Sequence, residues 1–280
     1  MQSISSTESL PISYTVYPAP SNVETAPVVI FVHGFKGFKD WGSFPLGCET
    51  IAKEGLNVVA INLSRNGVGE RPMDFDRLDL FADATLSQDQ NDIGSVIEAI
   101  KSGEIKAVDT ALKGKIGIIG HSRGGHSVVA AAGEYEDIQT VITWAAVDNY
   151  PDRWGFSTKS DWVEKGFTDI MNGRTKQIMR LNRGVLDDAV ENSDRVNALS
   201  NAAKLDIPCM FIHGTEDPAV HHDCAINLFQ ACPSKKKSLI IIDGAGHTFG
   251  GSHPWEKDHL PEHFAKVVSA SAEFLSTHLG

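Results

Sequence analysis

The run Ile116-Gly117-Ile118-Ile119 leads directly into Gly120-His121-Ser122-Arg123-Gly124, and the chain continues as Gly125-His126-Ser127-Val128-Val129-Ala130-Ala131-Ala132. The apolar run reads as a strand buried on both faces, and the small-residue stretch after it as a helix. The turn between them is confined to five residues, with a glycine on either side of the serine. A backbone that doubles back this sharply leaves no space for a Cβ at positions 120 and 124, and glycine has none. A strand, turn and helix of this kind lift a serine hydroxyl above the sheet edge, the arrangement known as a nucleophile elbow. An ordinary turn with an N-capping serine is the competing reading of the five residues alone. The flanks favour the elbow.

Around this turn, apolar runs alternate with segments of helical period, the signature of a mostly parallel central sheet with helices on both faces. The runs are Val28–Val32, Val58–Ile61, Ile116–Ile119, Val141–Val147, Ile207–Ile212 and Leu239–Ile242. Ile93, Val96, Ile97 and Ile100 share one face of a helix that should end near Gly103, and a last helix should begin near Pro261. Ile12–Tyr17 alternates and suits an edge strand that is wet on one side. From about 148 to 204 no strong strand appears, while tryptophans and short helical patterns do. This stretch is expected to form a small helical cap inserted into one α/β domain that spans residues 1–280.

A serine hydroxyl is a weak nucleophile at neutral pH, so the elbow calls for a base and for an acid that orients it. On this architecture they follow in the order acid, then histidine. Asp217, in His213-Gly214-Thr215-Glu216-Asp217-Pro218, follows the penultimate strand and is the expected acid. Its competitors are Asp148, which also ends a strand, and a purely structural Asp-Pro turn. Glu216 is adjacent but should point elsewhere. His247, in Gly244-Ala245-Gly246-His247, follows the last strand and is the expected base. The oxyanion donors should be the backbone N–H of Arg123 and that of Phe35, the latter in the loop His33-Gly34-Phe35 after the third strand.

With these residues in place, the chain resembles the α/β-hydrolase superfamily, and within it serine esterases of the dienelactone-hydrolase-like and cinnamoyl-esterase-like groups. The resemblance rests on His33-Gly34-Phe35, Gly120-His121-Ser122-Arg123-Gly124-Gly125, His213 to Asp217 and Gly246-His247, and it covers the chain from Tyr14 onward except the cap. It implies an α/β-hydrolase fold, Ser122 as nucleophile, Asp217 as acid, His247 as base, Phe35 and Arg123 as oxyanion donors, and hydrolysis of a small carboxylic ester. Dienelactone hydrolases proper carry cysteine where this elbow carries serine, so their narrow activity is not carried over. A serine peptidase of the prolyl-oligopeptidase type is similar in its catalytic domain but usually adds a propeller. A non-catalytic binding protein on the same scaffold is the other alternative.

Other residues carry weaker signals. Trp144, Trp154, Trp162 and His126 are candidates for the substrate pocket, with core packing as the alternative for the tryptophans. The Arg123 side chain is expected to form an ion pair under the oxyanion loop, with Asp40 as the candidate partner. His253, His259 and His263 do not complete a tetrahedral set, so no metal is expected, and the chemistry asks for no cofactor. A net charge of −11 argues against nucleic acid and anionic membrane surfaces as partners. No apolar run approaches the roughly 20 residues needed to cross a bilayer. The first residues lack the basic and apolar regions of a signal peptide, and Cys48, Cys209, Cys224 and Cys232 suggest no disulfide framework. A cytoplasmic location is therefore expected; a secreted form that has shed its signal stays open.

Overall fold

The computed structural model describes residues 2–20, 26–71, 73–105, 116–150 and 156–279. In chain order the first elements are β1 (Gln2–Ser5), β2 (Pro11–Tyr17), β3 (Val28–Val32), α1 (Phe44–Lys53), β4 (Asn57–Ile61), α2 (Leu78–Phe81) and α3 (Leu86–Ser102). They are followed by β5 (Ile116–His121), α4 (Arg123–Glu134), β6 (Ile138–Trp144), α5 (Phe156–Lys165), β7 (Phe167–Met171) and β8 (Ile178–Asn182). The remainder comprises α6 (Arg183–Glu191), α7 (Ser193–Val196), α8 (Ala198–Ala202), β9 (Cys209–Gly214), α9 (Asp223–Ala231), β10 (Lys237–Ile242) and α10 (Glu262–Leu279).

Eight strands form one sheet in the order β1-β2-β4-β3-β5-β6-β9-β10. From β4 to β10 all pairs are parallel, and β2 joins them antiparallel. Every residue of β3, β4, β5 and β9 is buried, as expected for strands covered on both faces. One face packs against α3, α4, α8 and α9 around Ile93, Val128, Ala198 and Leu228; the other packs against α1 and α10 around Phe44, Ile51, Phe264 and Leu275. Burying an aliphatic or aromatic side chain of this size stabilises the fold by roughly 1.5–3 kcal/mol each.

Two expectations are corrected here. The segment Pro11–Tyr17 is not an edge strand, because β1 pairs antiparallel with its free side and takes the edge. The stretch between β6 and β9 holds, besides helices, the antiparallel hairpin β7–β8. Its alternation is masked by mixed chemistry: Thr168, Met179 and Leu181 are buried, while Asp169 and Arg180 face solvent and pair with each other. Thr85 caps the N-terminus of α3, and Gly103, with φ of +78°, ends it.

The strand order also locates a crevice. From β3 the chain moves outward to β4, then returns to place β5 on the other side of β3. The connections leaving the carboxyl ends of β3 and β5 therefore diverge, the topological switch point at which open α/β sheets bind ligands. Those two connections begin with His33-Gly34-Phe35 and with Ser122.

Candidate active site

Ser122 sits between β5 and α4 with φ of +56° and ψ of −117°, a conformation that strains any residue other than glycine. Its neighbours make the turn sterically feasible. A Cβ on Gly120 would collide with the Gly124 carbonyl, and a Cβ on Gly124 would collide with the carbonyls of Val32 and His33. Gly34 is equally constrained, since a Cβ there would lie 2.9 Å from the Ser122 Cβ. The loop after β3 thus presses directly against the elbow. Arg123 is the first residue of α4, so its N–H belongs to the first helical turn, whose amides have no intrahelical acceptor. Both backbone segments named from the sequence as oxyanion donors flank the serine.

His247 brings the remaining two side chains together. Its Nε2 lies 3.0 Å from Ser122 Oγ, and its Nδ1 lies 2.7 Å from Asp217 Oδ2. A carboxylate only accepts hydrogen bonds, so Nδ1 carries the hydrogen and Nε2 is left to accept one from the serine hydroxyl. Asp217 also receives the N–H groups of Ala219 and Val220 on Oδ1, at 2.8 and 2.9 Å. Burial alone would raise its pKa, but hydrogen bonds from His213 and His247 outweigh that and hold the carboxyl well below the usual carboxylate range. Asp148 accepts from Asn227 at 2.8 Å rather than from His247, and Glu216 is exposed.

Two buried histidines support these loops in neutral form. His33 donates from Nδ1 to the Gly34 carbonyl at 2.8 Å, while its Nε2 accepts from the Leu63 N–H at 3.3 Å. A second proton would destroy that acceptor, and burial lowers the pKa to about 4. His121 donates from Nε2 to the His247 carbonyl at 2.9 Å, and burial lowers its pKa to about 3.

The Arg123 side chain does not reach Asp40, which pairs with Lys39 at 2.5 Å instead. Its guanidinium binds the buried Asp89 carboxylate at 2.9 Å and donates to the carbonyls of Ala84 and Thr85 at the start of α3. The same guanidinium lies 5.9 Å from the centroid of the Phe35 ring. It therefore links the elbow, α3 and the oxyanion loop.

A cavity of about 190 Å³ opens beside the serine, lined by Phe35, Lys36, Trp41, Phe44, Asn172 and Thr248 in addition to Ser122 and His247. Of the four pocket candidates, Trp144 is fully buried in the sheet core, where its Nε1 donates to Ser271 Oγ at 3.0 Å. Trp162 is also fully buried, against Phe38 and Leu181. His126 sits between the carbonyls of Val147 and Val196, at 3.2 and 2.8 Å. None of these three lines the cavity, and Trp154 lies outside the described residues. Lys36, Trp41, Phe44, Asn172 and His213 were not singled out from the sequence. His213, beginning the same His-Gly turn as the acid, was the one with a usable signal.

Among the described residues one group could hold a cation: His221, His222 and Asp223, whose ligand atoms lie within 4.8 Å of one another. His221 and Asp223 are exposed and pair with each other at 3.1 Å, as surface residues commonly do. Among the described residues, no helix is long and apolar enough to cross a membrane.

Comparison with known proteins supports the fold. The structure resembles ferulic acid-bound Est1E from Butyrivibrio proteoclasticus, with a TM-score of 0.69, 20% identity, and coverage of 97% of this chain and 96% of that one. It is similar to a monoacylglycerol lipase from Paleococcus ferrophilus, with a TM-score of 0.69, 18% identity, and coverage of 95% and 99%. It is similar also to a dienelactone hydrolase from Anabaena variabilis, with a TM-score of 0.62, 16% identity, and coverage of 100% and 98%. At these identities the likeness speaks to the fold. No curated protein matches the sequence. The model of the alpha/beta hydrolase family matches residues 29–257, well over half of the chain, and the protein therefore belongs to the alpha/beta hydrolase family.

Proposed function

We propose that this protein is a serine hydrolase that cleaves small carboxylic esters through an acyl-enzyme intermediate. The observation that carries the reading is the imidazole of His247, hydrogen-bonded to Asp217 on one side and to Ser122 on the other. His247 Nε2 takes the hydroxyl proton as Ser122 Oγ attacks the ester carbonyl. The N–H groups of Phe35 and Arg123 receive the charge that develops on the carbonyl oxygen, a contribution of about 3 kcal/mol for each such donor. The C–O bond to the alcohol then breaks, and the alcohol leaves with the proton from His247. Water, deprotonated by the same nitrogen, attacks the acyl-enzyme carbonyl and releases the acid and free Ser122. Asp217, held ionised, keeps the imidazole in the tautomer this cycle needs.

The segment between β6 and β9 acts in this reading as a cap on a single domain, since Asn172, in the turn of its hairpin, reaches the cavity. The cavity volume favours short acyl groups, and its aromatic wall of Phe35, Trp41 and Phe44 accepts an aryl group. A reducing, cytoplasmic setting suits the thiols of Cys48, Cys209 and Cys232. The experiment is hydrolysis of p-nitrophenyl acetate by the wild type and by Ser122→Ala. Loss of turnover in the variant, at unchanged thermal stability, is expected; retained turnover would refute Ser122 as nucleophile. A panel of longer acyl esters, methyl ferulate and aminoacyl amides separates esterase from peptidase activity.

A further inference from the structure

We propose that the ester cleaved at Ser122 carries a carboxylate recognised by Lys36, so that the protein prefers anionic esters to neutral ones of the same size. This rests on the hydrolase reading above and adds the substrate class to it.

Lys36 lines the cavity beside the serine and also a smaller hollow on the other side of the oxyanion loop. Of the other described cations near that loop, Arg174 lies over the Phe38 ring and donates to the Met73 carbonyl at 3.2 Å, and three are held in ion pairs. Arg123 is paired with Asp89, Arg65 with Glu8 and Lys39 with Asp40. Among the described residues Lys36 has no carboxylate partner. Its ammonium lies 3.4 Å from the Met171 carbonyl and 5.7 Å from the Phe35 ring centroid. An ammonium has three hydrogens to donate, so one long contact leaves capacity for a ligand.

The setting favours an anion further. None of the described residues that line the cavity is acidic, and Asp217 beneath it is engaged by four donors. Burial lowers the pKa of Lys36, the mark of a cation short of stabilising partners. Its backbone is also held at φ of +55°, a left-handed conformation that glycine adopts without cost and a lysine does not. The net charge of −11 does not oppose anion binding, because at physiological salt distant charges are screened beyond about 8 Å.

The test compares kcat/KM within two matched pairs. On the acyl side the pair is p-nitrophenyl hydrogen glutarate and p-nitrophenyl pentanoate; on the alcohol side it is 4-(butyryloxy)benzoate and phenyl butyrate. In the wild type the anionic member of at least one pair should be favoured about tenfold, the lower range for a hydrogen bond to a charged group. Lys36→Gln should bring that ratio close to one, Lys36→Glu should invert it, and Lys36→Arg should keep most of it. A wild-type ratio near one in both pairs, or a ratio that survives in Lys36→Gln, would overturn the proposal. Turnover of p-nitrophenyl acetate separates the two readings. Acetate cleaved without anionic preference refutes only the role of Lys36, whereas no turnover of any ester refutes the hydrolase reading as well.

Discussion

His213 Nε2 lies 3.1 Å from Asp217 Oδ2, the same oxygen that receives His247 Nδ1 at 2.7 Å. Both neighbours of His213 Nε2, Asp217 Oδ2 and the Val220 carbonyl at 3.0 Å, are acceptors, so this nitrogen carries the hydrogen. The opposite nitrogen, Nδ1, is buried and lacks a hydrogen-bond partner among the described residues. A buried polar atom left unpaired costs stability. The arrangement is thus maintained against a cost, and its beneficiary is the carboxylate.

Replacing His213 by Leu removes a donor that lowers the pKa of Asp217, so the carboxyl protonates more readily. In the proposed mechanism kcat should fall by about tenfold while KM changes little, and the acid limb of the pH–rate profile should move to higher pH. His213→Gln, whose amide can place a donor near the same point, should recover part of the loss. A profile for His213→Leu that overlays the wild type would exclude a positioning role.

Asp89→Asn tests the connection from the elbow to α3. The pair with Arg123 is almost fully buried, and removing one partner leaves the other charge without compensation, at a cost of about 3–5 kcal/mol. The apolar double variant Asp89→Leu/Arg123→Met should be less destabilised than the sum of its own single variants, Asp89→Leu and Arg123→Met. Chemical denaturation of all four proteins measures the cycle, and strict additivity would show that the pair does not act as a unit.

Gly124→Ala should destabilise the protein by more than about 2 kcal/mol. The added methyl meets backbone on β3 and its loop, not a side chain that can turn aside. Gly184→Ala is the control, because a Cβ there meets nothing within 4 Å. Equal melting temperatures for the two variants would contradict the steric account of the elbow.

Acid sensitivity follows from His33 and His121. Their pKa values are lowered in the folded state to about 4 and about 3, against an ordinary value near 6.5. Below pH 6.5 the unfolded chain therefore binds two protons that the folded protein refuses, and stability falls as pH drops toward 4. Asp92 acts in the opposite sense over part of this range, since burial raises its pKa to about 7 and the folded state holds its proton while the unfolded state has released it. His126, whose pKa burial also lowers to about 4, joins the two histidines, and Asp89, whose pKa burial raises, joins Asp92. Three groups outweigh two. The melting temperature should decline from pH 7 to pH 5, less steeply than three histidines alone would give. A melting temperature that rises over this interval would show that His33 and His121 are not held neutral.

The local chemistry of the chain was legible from its residues. Buried parallel strands appear as unbroken apolar runs, and the elbow appears as a serine between two glycines, 120 and 124, at each of which a Cβ would collide with backbone. The order of Ser122, Asp217 and His247 followed from the same runs, because each residue lies just past the carboxyl end of a strand. Other features depended on what packs beside what. The partner of Arg123 is Asp89, which lies on α3 rather than in the oxyanion loop, and sequence distance does not rank one carboxylate above another. Trp144 faces inward from β6, and Trp162, on α5, is buried against the hairpin, where its Nε1 donates to the Leu181 carbonyl at 2.8 Å. Lys36 and Asn172 meet at the cavity through strand order and the docking of the β7–β8 hairpin, a contact between segments far apart in the chain, whereas His213 lies only four residues before Asp217. Residue type and local spacing determine which groups can do chemistry. Tertiary packing decides which of them share a cavity, because burial and hydrogen bonding are set by neighbours that no local pattern names.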